Sequence, residues 1–367
     1  MNKRQFVILA VCLVNLTACE QEIDFKAPDS ESGKAMVLNA IAAEGEPLRV
    51  FVSSAFAIGK APLMNIGYQY AFSSDSQYSD YQTAAYYKKA AILDAEVKAV
   101  VNGQDTYNLE LTPDSMGYVC GFSPQAGDKI EVQARHGKDN VAAETILPPV
   151  PSIEVLSHEV IDGNPYAHIN GLTYDADTIM RITCRISEEV AGQYYRLRVR
   201  GERKVSTLTM VYANEELVNE FHWAYYPMQD IYFSEDELFV DNSLRIGFGG
   251  WLPFFSNVFD DSLIKGTGHT FTLDSPKPYI SAGPYAGVNE ITETMKQEVH
   301  TPDIPARVMV ELQAISPELY RYLKSVELYR VTESDAFSEP VQIYSNVENG
   351  WGIFGSLSSS RVFIPYD

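Results

Sequence analysis

Apolar and polar residues alternate in short runs through most of this chain, the two-residue period of a half-buried strand. Met36 to Ala42 (MVLNAIA) reads as a first strand and Leu48 to Ser54 (LRVFVSS) as a second, joined by the turn residues Glu44-Gly45-Glu46-Pro47. The rhythm stops over 55–91, a tyrosine-rich stretch too long for a hairpin turn. It resumes at Ala95 to Val101 and turns at Asn102-Gly103. Tyr107 to Leu111, Gly117-Tyr118 and Lys129 to Ala134 follow, the last placing Ile130, Val132 and Ala134 on one face. Ala142 to Ile146 ends this unit. Leu147-Pro148-Pro149-Val150-Pro151 then interrupts any ladder, because proline lacks the N–H that a central strand must donate.

A second run begins at Ile153. Within it Gln193 to Arg200 alternates most sharply, with Tyr195, Leu197 and Val199 on one face and Arg196, Arg198 and Arg200 on the other. Residues 202–300 show no steady period. Val308, Val310 and Leu312 restore it. Ser316-Pro317-Glu318 is a helix start: a capping hydroxyl, a proline suited to the first helical position and an acid at the positive dipole end. Leu319, Tyr322, Leu323 and Val326 then share one helical face. Val341 to Asn346 and Ile353 to Gly355 read as closing strands around Asn349-Gly350. The prediction is a mainly β chain of two Ig-like β-sandwich domains with one short helix near the C-terminus. The first would span 35–147 with the tyrosine-rich loop 55–91, and the second 152–367 with an irregular insertion at about 202–300.

The first residues break this pattern differently. Lys3 and Arg4 precede the apolar run Phe6 to Leu16, which is too short to span a bilayer, and Leu16-Thr17-Ala18-Cys19 closes it. Small residues before a cysteine form the lipobox of a bacterial lipoprotein. Residues 1–18 then read as a cleaved signal peptide, Cys19 as the lipidated residue and 19–34 as a flexible tether. Glu20, Glu22 and Asp24 behind the cysteine resemble the acidic export signal of surface-displayed lipoproteins. The expected location is the outer membrane, lipid-anchored and facing the cell exterior.

Charge narrows the partners. The 367 residues carry 28 Lys+Arg against 49 Asp+Glu, a net charge of −21 that becomes −23 once Lys3 and Arg4 leave with the signal peptide. Nucleic-acid binding needs cations to neutralise phosphates, so this balance excludes it. The six histidines show no metal-ligand spacing, and the chain holds no nucleophile elbow or phosphate loop. No catalytic residue, metal or cofactor is expected. Asp260-Asp261 and Ser234-Glu235-Asp236-Glu237 lack the spacing of a calcium loop and read as solvated turns. Cys120 and Cys184 could pair in an oxidising envelope or sit apart as small hydrophobes. The binding candidates are aromatic: Tyr68, Tyr70, Tyr78, Tyr81, Tyr86 and Tyr87 in the loop, and Trp223, Tyr225 and Tyr226, with Tyr232, in the insertion. Such rings offer rigid contact area with a hydrogen-bonding edge, for a glycan, a peptide or a protein.

CEQEIDF behind the lipobox, MVLNAIAAEGEPLRVFVS, ETILPPVPSIEVL, QYYRLRV, SPELYRYLKSVE and SNVENGWGIFG at 345–355 together resemble the Bacteroidota lipoprotein family filed as domain-of-unknown-function family 4249. The resemblance implies an outer-membrane lipoprotein made alongside TonB-dependent transporters, and it brings no catalytic residues. The expectation is a surface-exposed accessory or ligand-binding protein that could partner such a transporter. The alternatives are a surface hydrolase acting on polysaccharide or peptide, and a structural or adhesive lipoprotein.

Overall fold

A computed structural model describes residues 34–56, 90–112, 117–162, 167–169, 172–174, 178–187, 192–203, 206–211, 232–241, 254–264, 266–276, 294–299, 306–332 and 341–366. The first seven strands are β1 (Lys34–Ala43), β2 (Arg49–Phe56), β3 (Glu96–Val101), β4 (Asp105–Leu111), β5 (Tyr118–Val119), β6 (Lys129–His136) and β7 (Asp139–Ile146). After the proline run come β8 (Ser152–Asp162), β9 (Ala167–Ile169), β10 (Leu172–Tyr174), β11 (Thr178–Ser187), β12 (Tyr194–Arg203) and β13 (Ser206–Val211). The remainder are β14 (Val240–Asp241), β15 (Phe254–Phe255), β16 (Val258–Asp260), β17 (His269–Pro276), β18 (Thr294–Val299), β19 (Ala306–Ile315), helix α1 (Pro317–Thr332) and β20 (Trp351–Tyr366).

The alternation read from the sequence directs the two larger cores among the described residues. Leu38, Ala40, Val50, Val52, Val97, Ala99, Ile130, Val132 and Val141 from the early strands close one of them, together with Phe354 from β20. The other lies between two sheet faces. Tyr195, Leu197 and Val199 of β12 and Val308, Val310 and Leu312 of β19 meet Met180, Ile182 and Ile186 of β11 and Phe271 and Leu273 of β17. Tyr232, expected on a binding surface, is instead 1% exposed in this core, with its hydroxyl donating to the Leu197 carbonyl at 3.2 Å.

The sheets do not divide as two Ig-like sandwiches would. Eleven strands form one mixed sheet in the order β16-β12-β19-β20-β1-β2-β5-β4-β3-β6-β7, and β17-β11-β8 form a separate three-stranded sheet. The cause is β20, sixteen residues long. Its first part runs parallel to β1, from Val37 opposite Trp351 to Ala43 opposite Leu357. Its second part runs antiparallel to β19, from Ile315 opposite Leu357 to Ala306 opposite Tyr366. One strand thus belongs to both halves. Its glycine- and serine-rich middle lacks the alternation that would have announced a long strand.

The predicted closing strand Val341 to Asn346 is not regular; no strand is assigned over 341–347. The Asn346 amide does the pairing instead. Its Oδ1 accepts from the Phe354 N–H at 2.9 Å, and its Nδ2 donates to the Phe354 carbonyl at 2.9 Å and to the Glu144 carbonyl at 3.2 Å. One side chain therefore satisfies the Phe354 backbone beyond the end of β19, whose last residue, Ile315, is opposite Leu357. Glu348 and Ala142 exchange backbone hydrogen bonds at 2.8 and 3.4 Å, which ties β7 to the same segment.

Cys120 and Cys184 are unbridged buried thiols, so the pairing raised from the sequence does not occur. Cys120 packs in the first core and Cys184 in the second, which keeps their sulfurs apart. Burial pushes the Cys184 thiol up to about 12, so it stays a protonated small hydrophobe.

Helix α1 starts where the capping signal placed it. The Ser316 hydroxyl accepts from the Leu319 N–H at 3.3 Å and from the Ser356 N–H of β20 at 3.2 Å, and the Ser316 N–H donates to the Ser356 carbonyl at 2.9 Å. Leu319 is buried with Val258 and Ile315, and Tyr320 stacks on Tyr194 at 4.2 Å. Ser316→Ala removes a cap and orphans a second buried N–H. It is expected to cost about 2 kcal/mol, read from chemical denaturation.

Candidate functional site

Among the expected site residues, Cys19, Glu20, Glu22 and Asp24 lie outside the described residues. So do Tyr68, Tyr70, Tyr78, Tyr81, Tyr86, Tyr87, Trp223, Tyr225 and Tyr226. The described ends of the tyrosine-rich stretch are well anchored. Phe56, the last residue of β2, is opposite Lys34, the first of β1. On the return side Ala91 bridges to Ser53, and the Ile92 N–H donates to the Val52 carbonyl at 3.0 Å. The buried Tyr118 hydroxyl donates to the Ile92 carbonyl at 2.7 Å and accepts from the Ala95 N–H at 3.0 Å. Burial raises this hydroxyl above the ordinary tyrosine value, so it stays a donor. Tyr118 therefore pins the chain re-entering β3.

Just beyond that point the outer face of β4-β3-β6-β7 holds a depression of about 620 Å³. This lies within the range of small-ligand sites. A second depression, between Pro149 and Tyr195, has only about 20 Å³, room for roughly one water. Strand register arranges the larger one. Asn108, Lys98 and Gln133 form one row across β4, β3 and β6. Glu96, Arg135 and Asn140 form a second row across β3, β6 and β7. The rows are two residues apart, about 7 Å along the strands. Arg135 donates to Glu96 through Nε at 3.2 Å and Nη2 at 2.5 Å. The Gln133 amide Nε2 donates to Glu131 Oε1. None of these six positions stood out in the sequence, where Arg135 and Asn140 fall just outside the strands read there and the others are ordinary outward residues. Their only signal was shared parity, which becomes a site once register aligns the strands.

Three polar constellations elsewhere resemble catalytic groups. Ser256 Oγ lies 2.9 Å from Lys324 Nζ and 2.8 Å from a Glu327 oxygen. It is also 3% exposed and takes the Val258 N–H at 3.1 Å, so it docks α1 onto β16. His269 Nε2 meets Asp236 Oδ1 at 2.8 Å, and the same oxygen caps the turn at Leu238. Asp260 caps the next turn through Ser262 at 2.9 Å, and Asp261 accepts from the Gly192 N–H at 2.5 Å. These acids stabilise turns. Among the described residues no group of three metal-ligating side chains occurs.

The third constellation is buried charge on the α1 side of the large sheet. Glu311 on β19 is 1% exposed and sits opposite Arg198 on β12 and Arg361 on β20. Arg361 Nε donates to it at 2.7 Å, and an Arg198 nitrogen is 3.8 Å away. Burial alone would raise this carboxyl. The Arg361 hydrogen bond and charge, with Arg198 and the Ser359 hydroxyl, outweigh burial and leave it below the usual carboxylate value. The arrangement clamps three strands together.

A family model described as "Domain of unknown function (DUF4249)" matches residues 20–361. No curated protein and no solved structure matches the chain.

Proposed function

The chain belongs to the DUF4249 family, and from that premise we propose that it is a Bacteroidota outer-membrane lipoprotein held by lipid on Cys19. It is displayed at the cell exterior and serves there as an accessory or ligand-binding protein, with a TonB-dependent transporter as its membrane partner. The observation that carries this reading is the lipobox Leu16-Thr17-Ala18-Cys19 behind a short apolar run. Two further observations support it. The family match begins at residue 20, directly behind the cysteine. The first strand begins at Lys34, well behind the cysteine. Acyl chains contribute about 0.8 kcal/mol per buried CH₂, enough for several chains on one cysteine to hold a soluble body at a bilayer.

Cys19→Ala is expected to release the protein from the membrane fraction. The triple variant Glu20→Ala, Glu22→Ala, Asp24→Ala is expected to keep it lipidated but hidden from protease added outside intact cells. Accessibility equal to that of the natural protein would overturn the export reading. Membrane retention of the Cys19 variant would overturn the anchor.

A further inference from the structure

The depression on β4-β3-β6-β7 has a chemistry that selects its ligand. Strands β3 and β6 beneath it are each paired on both sides, so their backbone groups are engaged in ladders. A ligand here is read by side chains, which excludes an extended peptide adding as a strand. Polar groups make up the larger part of a mixed lining, with carboxamides from Asn108, Gln133 and Asn140 and charges from Glu96, Lys98 and Arg135. A carboxamide offers a donor and an acceptor side by side, and the Glu96–Arg135 pair does the same. Lys98, Asn108 and Asn140 are exposed and line the depression. Two cations against one anion give it one net positive charge in a chain of net −21. That is too little for a polyphosphate.

We propose that this depression binds a polyhydroxylated ligand, an oligosaccharide, through adjacent hydroxyl pairs. Each hydroxyl both donates and accepts, so a neighbouring pair matches a carboxamide edge or the Glu96–Arg135 edge. The two rows, about 7 Å apart, engage successive parts of an extended chain of sugars. Lys98, central in its row, meets a ring hydroxyl or the carboxylate of a uronic acid. This names the ligand class for the ligand-binding reading above and rests on it.

The test uses the full lipidated chain in detergent on an array of neutral hexose, N-acetylhexosamine and hexuronate oligosaccharides. Saturable binding to at least one class is expected. The double variant Asn108→Ala, Asn140→Ala should weaken it roughly tenfold or more. Both positions are on the outer face of the sheet, so the unfolding midpoint should stay unchanged. Lys98→Ala should weaken hexuronate binding more than neutral binding if the lysine meets a carboxylate. No binding across the array, or binding indifferent to the double variant, would overturn the proposal. Neither result bears on protease accessibility at the cell surface, so failure here and failure of the display reading are separable.

Discussion

Replacing Gly352 with alanine is expected to cost more than about 4 kcal/mol and to leave little folded protein. Gly352 has φ +117°, a backbone conformation that side chains strain. A Cβ there would lie 2.0 Å from the Leu38 carbonyl oxygen and 2.8 Å from Asn39 Oδ1. Neither atom can retreat. Leu38 is opposite Gly352 in the parallel β1–β20 pairing, and Asn39 Oδ1 accepts the Ile353 N–H at 3.2 Å. Gly350 and Gly355 are crowded too, against the Met36 carbonyl at 2.6 Å and the Leu319 Cβ at 2.7 Å. The glycines of NGWGIFG thus let β20 lie against β1 and under α1 at the junction of the two halves. Gly121→Ala is the control, since nothing lies within 4 Å of its Cβ position and its φ is ordinary. It should unfold in denaturant like the natural protein. A Gly352→Ala chain of normal stability would refute the seam as described.

Glu311→Gln is expected to cost about 3 kcal/mol, the lower end of the range for breaking a buried ion pair. The lower end applies because Arg361 is half exposed and water takes over part of its solvation. Arg198, 25% exposed, is less well served. The pH dependence has a definite sign. The folded-state carboxyl is held below its usual value, so its stabilisation is fully present above the unfolded-state value of about 4.3. It is lost as pH falls through the lowered folded-state value. Denaturation between pH 7 and pH 3 should therefore show a steeper acid decline for the natural protein than for Glu311→Gln. Equal slopes would mean that the Arg198–Glu311–Arg361 bridge does not stabilise the fold.

Much of the strand pattern was legible because it is local. The alternation of β1, β2, β3, β6 and β12 is written in neighbouring residues, and Ser316-Pro317-Glu318 carries its own start signal. Glu311 shows where that legibility stops. It alternates like any polar strand residue, and only the register of β12, β19 and β20 reveals the two arginines beside it. Cys120 and Cys184 were ambiguous for the same reason, since two apolar strand cysteines look alike whether they share a core or occupy two. The six polar residues of the depression come from four strands that the sequence separates by turns.

Local periodicity and turn chemistry by themselves determined a mainly β chain with one late helix. They also carried the motifs of the family that matches 20–361. Only the tertiary structure decided that these strands form one eleven-stranded sheet across both halves. The pairing responsible joins Val37 to Trp351, residues at opposite ends of the chain, and no local pattern encodes a contact of that separation. What permits it is the absence of side chains at Gly350 and Gly352, a signal that reads as a loop until another backbone is placed against it.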